Sequence, residues 1–190
     1  MKKLMAIIAA IVIITTCLVL VVGREQNFVK VVMPLKYEDI INDASEEFDI
    51  SPSLLCGLIY TESRFNSEAV SPAGAVGLTQ INKPTFEWIK WRMNDERDID
   101  FEDVKNPEIS IYYGAFLLKH HIEEFGNVDL ALCAYNAGRG SLIKWLDNDE
   151  YSKDGKEGRE LIKIPFKETE AYVERVNEAQ IKYQKLYKMK

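Results

Sequence analysis

A chain of 190 residues holds one domain of ordinary size, with or without a short appendage, but not two full cores. It is 47% hydrophobic and 28% charged, with 10 Gly and 6 Pro, which excludes a disordered, collagen-like or low-complexity polymer. The formal net charge of −6 offers no general attraction to nucleic acid, whose binding rests on phosphate neutralisation.

The apolar residues are unevenly spread. From Leu4 to Val22 only Thr15 and Thr16 are not apolar, and none is charged. As a helix this run is about 28 Å long, close to the hydrocarbon thickness of a bilayer. Lys2 and Lys3 precede it, which places the N-terminus in the cytoplasm and the rest of the chain outside. Residues 1–23 therefore read as a membrane anchor or a signal segment. The length of the run and the poor cleavage site at Val21–Arg24 favour the uncleaved anchor. A lipoprotein anchor at Cys17 is disfavoured, because Leu18–Val22 continue the apolar run. Residues 24–36 read as a juxtamembrane tether, and 37–190 as the functional domain. Outside the anchor, 22 basic residues face 30 acidic ones, so a polyanionic polymer would be held by local contacts only.

The domain reads as helical. Tyr37–Phe48 is amphipathic, with Ile40, Ile41, Ala44 and Phe48 on one side. Ser51-Pro52 starts a helix running to about Arg64, with Ser as N-cap and Pro in the first turn. Asn66–Ile81, rich in Ser, Pro, Gly and Ala, reads as a turn or small β-hairpin. Asn106-Pro107 opens a long helix that Gly126 stops, and Asp129–Ala137 and Ser141–Asp147 follow as shorter ones. The charge-dense stretch 147–158 reads as an exposed loop, and a last helix runs from about Glu168 to the end. The fold class is mainly α with a minor β element.

Cys56 and Cys133 sit in apolar helical runs, where burial as small hydrophobes is the simpler reading than an exported disulfide. His120 and His121 with these cysteines lack zinc-type spacing, so no metal or other cofactor is expected. Trp88, Trp91 and Trp145 suit helix packing more often than sugar stacking. Gly74, Gly77 and Gly138 read as backbone requirements for tight turns.

Glu62 is the most informative residue. Leu55, Leu58, Ile59 and Glu62 share one helix face, three apolar positions and then a carboxylic acid near the C-terminal end. The helix dipole and an apolar environment both raise its pKa, as a general acid working near neutral pH requires. The alternative is a wet, frayed helix end with Glu62 paired to Arg64 or another neighbour.

The residues that follow weigh against that alternative. Glu62-Ser63-Arg64-Phe65 through Ala69, Ser71, Gly74-Ala75, Gly77-Leu78-Thr79-Gln80 resembles the central motif of the soluble lytic transglycosylase family, E-S-x-F-x-x-x-A-x-S-x-x-G-A-x-G-L-M-Q. Asn106-Pro107-Glu108-Ile109-Ser110-Ile111, Ala134-Tyr135-Asn136-Ala137-Gly138 and Glu170-Ala171-Tyr172-Val173 are similar to three later family segments, in order; Glu168-Thr169 equally supplies the E-T of the last. The resemblance implies a lysozyme-like (goose-type lysozyme) helical domain that cleaves the MurNAc–GlcNAc β-1,4 bond of peptidoglycan glycan strands. It puts Glu62 on the single catalytic carboxylate, acting as acid and then base while a 1,6-anhydro ring closes on MurNAc. Ser71, Gln80, Tyr135 and Asn136 fall on family positions lining the sugar site. A glycosidase without substrate assistance needs a second carboxylate; Glu68, Asp98, Asp100 and Glu170 are available, but nothing in the sequence places one. Thr79 departs from the family's Met, and Trp91–Asp103 matches no family motif. The competing readings are a lysozyme-type hydrolase and a non-catalytic glycan-binding part of a wall-spanning assembly.

Overall fold

The computed structural model describes residues 31–155 and 158–189, together with Thr15. The segment read as an anchor, 1–23, and most of the tether lie outside the described residues. Two units are distinguished, Met1–Leu35 and Lys36–Lys190. In the first, Val31 and Val32 are helical. Among the described residues no helix is long and apolar enough to cross a membrane.

The second unit is mainly helical. Its elements in chain order are α1 (Glu38–Glu47), α2 (Pro52–Ser63), α3 (Lys83–Arg92), a 3-10 turn (Phe101–Lys105), α4 (Pro107–Phe125), α5 (Val128–Ala137), α6 (Arg139–Leu146), β1 (Ser152–Gly155), β2 (Gly158–Leu161) and α7 (Lys167–Tyr187). Local chemistry sets most boundaries. Asn82, Asn106 and Asn127 accept hydrogen bonds from free N–H groups at the starts of α3, α4 and α5. Pro stands in the first turn of α2, α3 and α4. Gly126, at φ 67°, ends α4.

Two expectations change. The hairpin is formed by Ser152–Gly155 and Gly158–Leu161, antiparallel with Ser152 opposite Leu161, within the stretch read as a loop. Asn66–Ile81 instead forms a tight irregular loop held by two isolated bridges, Val70 to Val76 and Val76 to Ile81. Its turns leave no extended run long enough for a strand pair. Helix α3 was not anticipated, although Asn82-Lys83-Pro84 starts it with the same device as α4.

Helix α2 packs closely against helix α7. A β-carbon on Gly57 of α2 would stand 2.8 Å from the Val176 carbonyl oxygen and 3.0 Å from the Gln180 nitrogen of α7. Glycine is what lets the two backbones approach so closely. Tyr183 of α7 is fully buried, with its ring 6.1 Å from Tyr60 and 5.9 Å from Phe65. A second part of the core gathers Val76, Ile81, Phe86, Ile89, Val104, Ile109, Tyr113 and Leu117 between α3, α4 and the Asn66–Ile81 loop. That loop is thus clamped between the end of α2 and the start of α4. Cys56 and Cys133 are buried free thiols, and burial pushes both up to about 12, which leaves them unreactive.

Candidate active site

Glu62 lies in the last turn of α2, half-buried. The Tyr172 hydroxyl, from α7, donates to its Oε1 at 2.6 Å. Burial pushes the carboxyl from its ordinary 4.5 up to about 7, against the opposing pull of that hydrogen bond and of the Arg175 charge. Near neutrality it is therefore divided between acid and base. The contact answers the wet-end alternative, because Glu62 is tied inward by a side chain that is itself only 3% exposed.

The Asn66–Ile81 loop runs alongside. Ser63 Oγ donates to the Leu78 carbonyl at 2.8 Å, and Tyr135 Oη donates to the Thr79 carbonyl at 2.8 Å. Tyr135 also lies within the field of Glu62, whose charge, after burial, holds the phenol well above its usual range. Glu62, Tyr135 and Tyr172 thus meet from α2, α5 and α7. The hydroxyl that orients the acid is Tyr172, a residue inside the last of the four sequence segments whose role the sequence did not reveal. Tyr135 instead anchors the loop.

The other expected residues fall as follows. Ser71 Oγ accepts from the Ala75 N–H at 3.0 Å, closing a turn that contains Gly74. Gln80, at φ 50°, uses Nε2 to hold the carbonyls of Ala69 and Gly77 at 3.2 and 2.9 Å. Both side chains therefore stiffen the loop facing the acid. Asn136 is exposed, and its Oδ1 accepts from the buried Thr169 hydroxyl at 2.9 Å. Glu68, Asp98, Asp100 and Glu170 are all exposed. None of them is among the groups acting on Glu62, which are Tyr172 and Arg175. Glu170 is a first-turn carboxylate of α7, and Asp100 caps the 3-10 turn.

Thr79 points into the core, not into solvent. It is fully buried, and its hydroxyl lies 2.7 Å from the Ser110 carbonyl of α4. A β-carbon on Gly114 would come within 2.4 Å of its methyl group. The departure from the family's Met is thus a packing solution against Ser110 and Gly114 of α4. The unmatched segment Trp91–Asp103 is also structural in part. Asp95 accepts from Arg97 at 2.6 Å and from the Tyr113 hydroxyl at 2.8 Å.

Next to Tyr135 opens a cleft of about 480 Å3, lined by Asn82, Trp88, His120, His121, Asn136 and Arg139 among others. Trp88 lies against His120, ring centroids 4.9 Å apart. Of the other tryptophans, Trp145 packs on Phe166 and Trp91 is exposed.

This mainly helical domain sets a half-buried carboxyl, Glu62, within electrostatic reach of Tyr135, which also lines the open cleft. The sequence model of the Transglycosylase SLT domain family matches residues 39–157, and the chain belongs to that family. It is 32% identical over 159 residues to the soluble lytic murein transglycosylase of Salmonella typhimurium, covering 82% of this chain and 24% of that one. It is 27% identical to membrane-bound lytic murein transglycosylase C of Salmonella paratyphi B, over 79% of this chain and 47% of the relative. The 70 kDa soluble lytic transglycosylase of Escherichia coli superposes with a TM-score of 0.73 at 26% identity, over 87% of this chain and 26% of its own. An inactive Glu-to-Gln mutant of the lytic transglycosylase Slt from Pseudomonas aeruginosa superposes with a TM-score of 0.71 at 26% identity, over 82% and 25%. The chain thus spans about a quarter of the length of the soluble relatives.

Proposed function

We propose that this chain is a peptidoglycan lytic transglycosylase with Glu62 as its general acid and then base. The observation that carries the reading is the Glu62 carboxyl itself: half-buried, raised to about 7, oriented by Tyr172, with no carboxylate among the groups that act on it. One group at about 7 is suited to give a proton and take one back near neutral pH.

The reaction balances without water. Glu62 protonates the oxygen bridging MurNAc to GlcNAc, the C1–O bond breaks, and GlcNAc leaves with a free 4-hydroxyl. The substrate's own N-acetyl group stabilises the cation at C1, doing what a second carboxylate does in an ordinary retaining enzyme. The C6 hydroxyl then attacks C1, its proton returns to Glu62, and a 1,6-anhydro ring closes. Tyr172 keeps Oε1 aligned through both transfers. Ser71 and Gln80 act by holding the loop backbone, and Tyr135 and Asn136 line the glycan side.

The proposed organisation is residues 37–190 as the catalytic domain, outside the cytoplasm, with 1–23 keeping it beside the wall. Kinship with both soluble and membrane-bound transglycosylases is compatible with an anchored enzyme. The test is the mass of the products from purified sacculi. Anhydro ends are lighter by one water than the reducing ends a hydrolase leaves, and Glu62→Gln yields neither. Reducing ends alone refute the transglycosylase chemistry; undiminished cleavage by Glu62→Gln refutes the assignment of the acid.

A further inference from the structure

Tyr172 aligns the Glu62 carboxyl only as well as helix α7 is itself held, and the start of α7 is not held by a cap of its own. Asn82, Asn106 and Asn127 cap α3, α4 and α5, whereas Phe166 at the N-cap of α7 gives that helix no side-chain hydrogen bond. The first turn is tied sideways instead. Thr169, in that turn and only 3% exposed, donates its hydroxyl to Asn136 Oδ1 at 2.9 Å, near the end of α5. Tyr172 lies at i+3 from Thr169, one turn on and on the same face of α7. Its hydroxyl reaches Glu62 Oε1 at 2.6 Å. The residue beside Asn136, Tyr135, donates to the Thr79 carbonyl of the loop at 2.8 Å. The last turn of α5 thus holds both elements next to the acid, the loop through Tyr135 and α7 through Asn136.

We propose that Thr169 is a positioning residue of the reaction: by fixing the first turn of α7 to Asn136, it sets the seat from which Tyr172 aligns Glu62. Thr169 is not among the groups that act on the carboxyl directly, and its effect passes through Tyr172. A hydrogen bond to a carboxylate is directional and favours the charged form. Freeing the first turn loosens that bond, raises the proton affinity of Glu62 and slows both proton transfers, while the cleft binds as before. The titratable and charged groups that face Glu62 are Tyr172 and Arg175 of α7 and Tyr135 of α5, and a neutral substitution at Thr169 changes the charge of none. Asn136 is exposed, so its oxygen turns to water when the Thr169 donor is removed and no buried acceptor is orphaned. The inference rests on the glycan-cleaving reading above and adds the residue on which alignment of the acid depends.

The test uses the full chain in mild detergent with two variants. Thr169→Val keeps the shape and removes the hydroxyl; Thr169→Ser keeps the hydroxyl. One readout is cleavage of purified sacculi across pH. The other is carbon-13 titration of the Glu62 carboxyl, assigned by its absence in Glu62→Gln. Thr169→Val should lower kcat about fivefold or more with apparent KM within about twofold. It should also raise both the alkaline limb and the Glu62 midpoint by about 0.5 pH or more. Thr169→Ser should restore the parent behaviour in both. In a Tyr172→Phe background Thr169→Val should move neither further, because the group it positions is gone. A Glu62 midpoint that Thr169→Val leaves in place overturns the inference. So does a change in KM alone, which assigns the hydroxyl to orienting Asn136, and so do effects that persist undiminished in Tyr172→Phe, which assign it to general packing. If the parent leaves sacculi intact while the midpoint moves as stated, the glycan-cleaving reading fails and the positioning of the carboxyl by Thr169 stands.

Discussion

Replacing Glu62 with Gln removes a titrating group from a site that penalises its charge, so the variant should be more stable than the parent at alkaline pH. The carboxyl moves from 4.5 in the unfolded chain to about 7 in the fold. At about 1.36 kcal/mol per tenfold change in proton affinity, this corresponds to about 3 kcal/mol. The sign follows from the protons. Below 4.5 both states hold the proton and the fold keeps its full stability. Between 4.5 and 7 the unfolded chain releases the proton first, so the parent loses stability as pH rises. Above 7 the loss is complete. Gln keeps an oxygen that accepts from Tyr172 and carries no charge. Urea unfolding of both proteins from pH 4 to pH 9 should therefore show a difference that grows through this window and levels at about 3 kcal/mol in favour of Glu62→Gln. A difference that is flat across the range, or that grows toward acid, would refute the placement of Glu62 in a desolvating site.

Three further outcomes follow from named contacts. Tyr172→Phe removes a hydrogen bond that lowers the Glu62 pKa, so the alkaline limb of the activity profile should shift upward while kcat falls about tenfold or more; an unmoved limb would contradict the role given to Tyr172. Gly57→Ala drives a methyl into the α7 backbone and should cost about 1–3 kcal/mol or more in urea titrations, lowering activity because it also displaces Tyr172. Thr79→Met, which restores the family residue, should destabilise by about 1–3 kcal/mol, with recovery absent unless the Ser110 and Gly114 side of the pocket is also changed; a neutral effect would show that the pocket is roomier than the contacts indicate.

The unusual setting of the Glu62 carboxyl was partly legible from one helix, where three apolar positions and Glu62 share a face. That spacing alone left a wet helix end open, and the segment that follows weighed against it. Tyr172 was not legible, since its only signal was membership of a distant segment, and its meaning depends on how α7 lies against α2. The β element was misplaced for a related reason. Val70, Val76 and Ile81 carry strand-forming side chains, but positive φ at Gly74, Gly77 and Gln80 folds the loop back before two strands can run. The true hairpin, Ser152–Gly155 with Gly158–Leu161, is written in residues of low strand propensity and is stabilised from outside, where the Ser152 hydroxyl bonds the Leu146 carbonyl at 2.6 Å. Ser71 and Gln80 were found by position, and their geometry shows them stiffening a loop, which spacing alone does not reveal. Of the cleft, only the Ala134–Gly138 segment with Asn136 was legible; Asn82 and Trp88 of α3 and Arg139 of α6 join it through packing that the sequence does not display.

The contact between Glu62 and Tyr172 joins residues 110 positions apart. A carboxyl in an unfolded or half-made chain is ionised at neutral pH and has no proton to give. Under the proposed function, the acid is thus competent only while α7 is docked against α2. Under that function the fold acts as a safety catch: a copy in which α7 is not docked holds an ionised Glu62 at neutral pH and has no proton to give to a glycan.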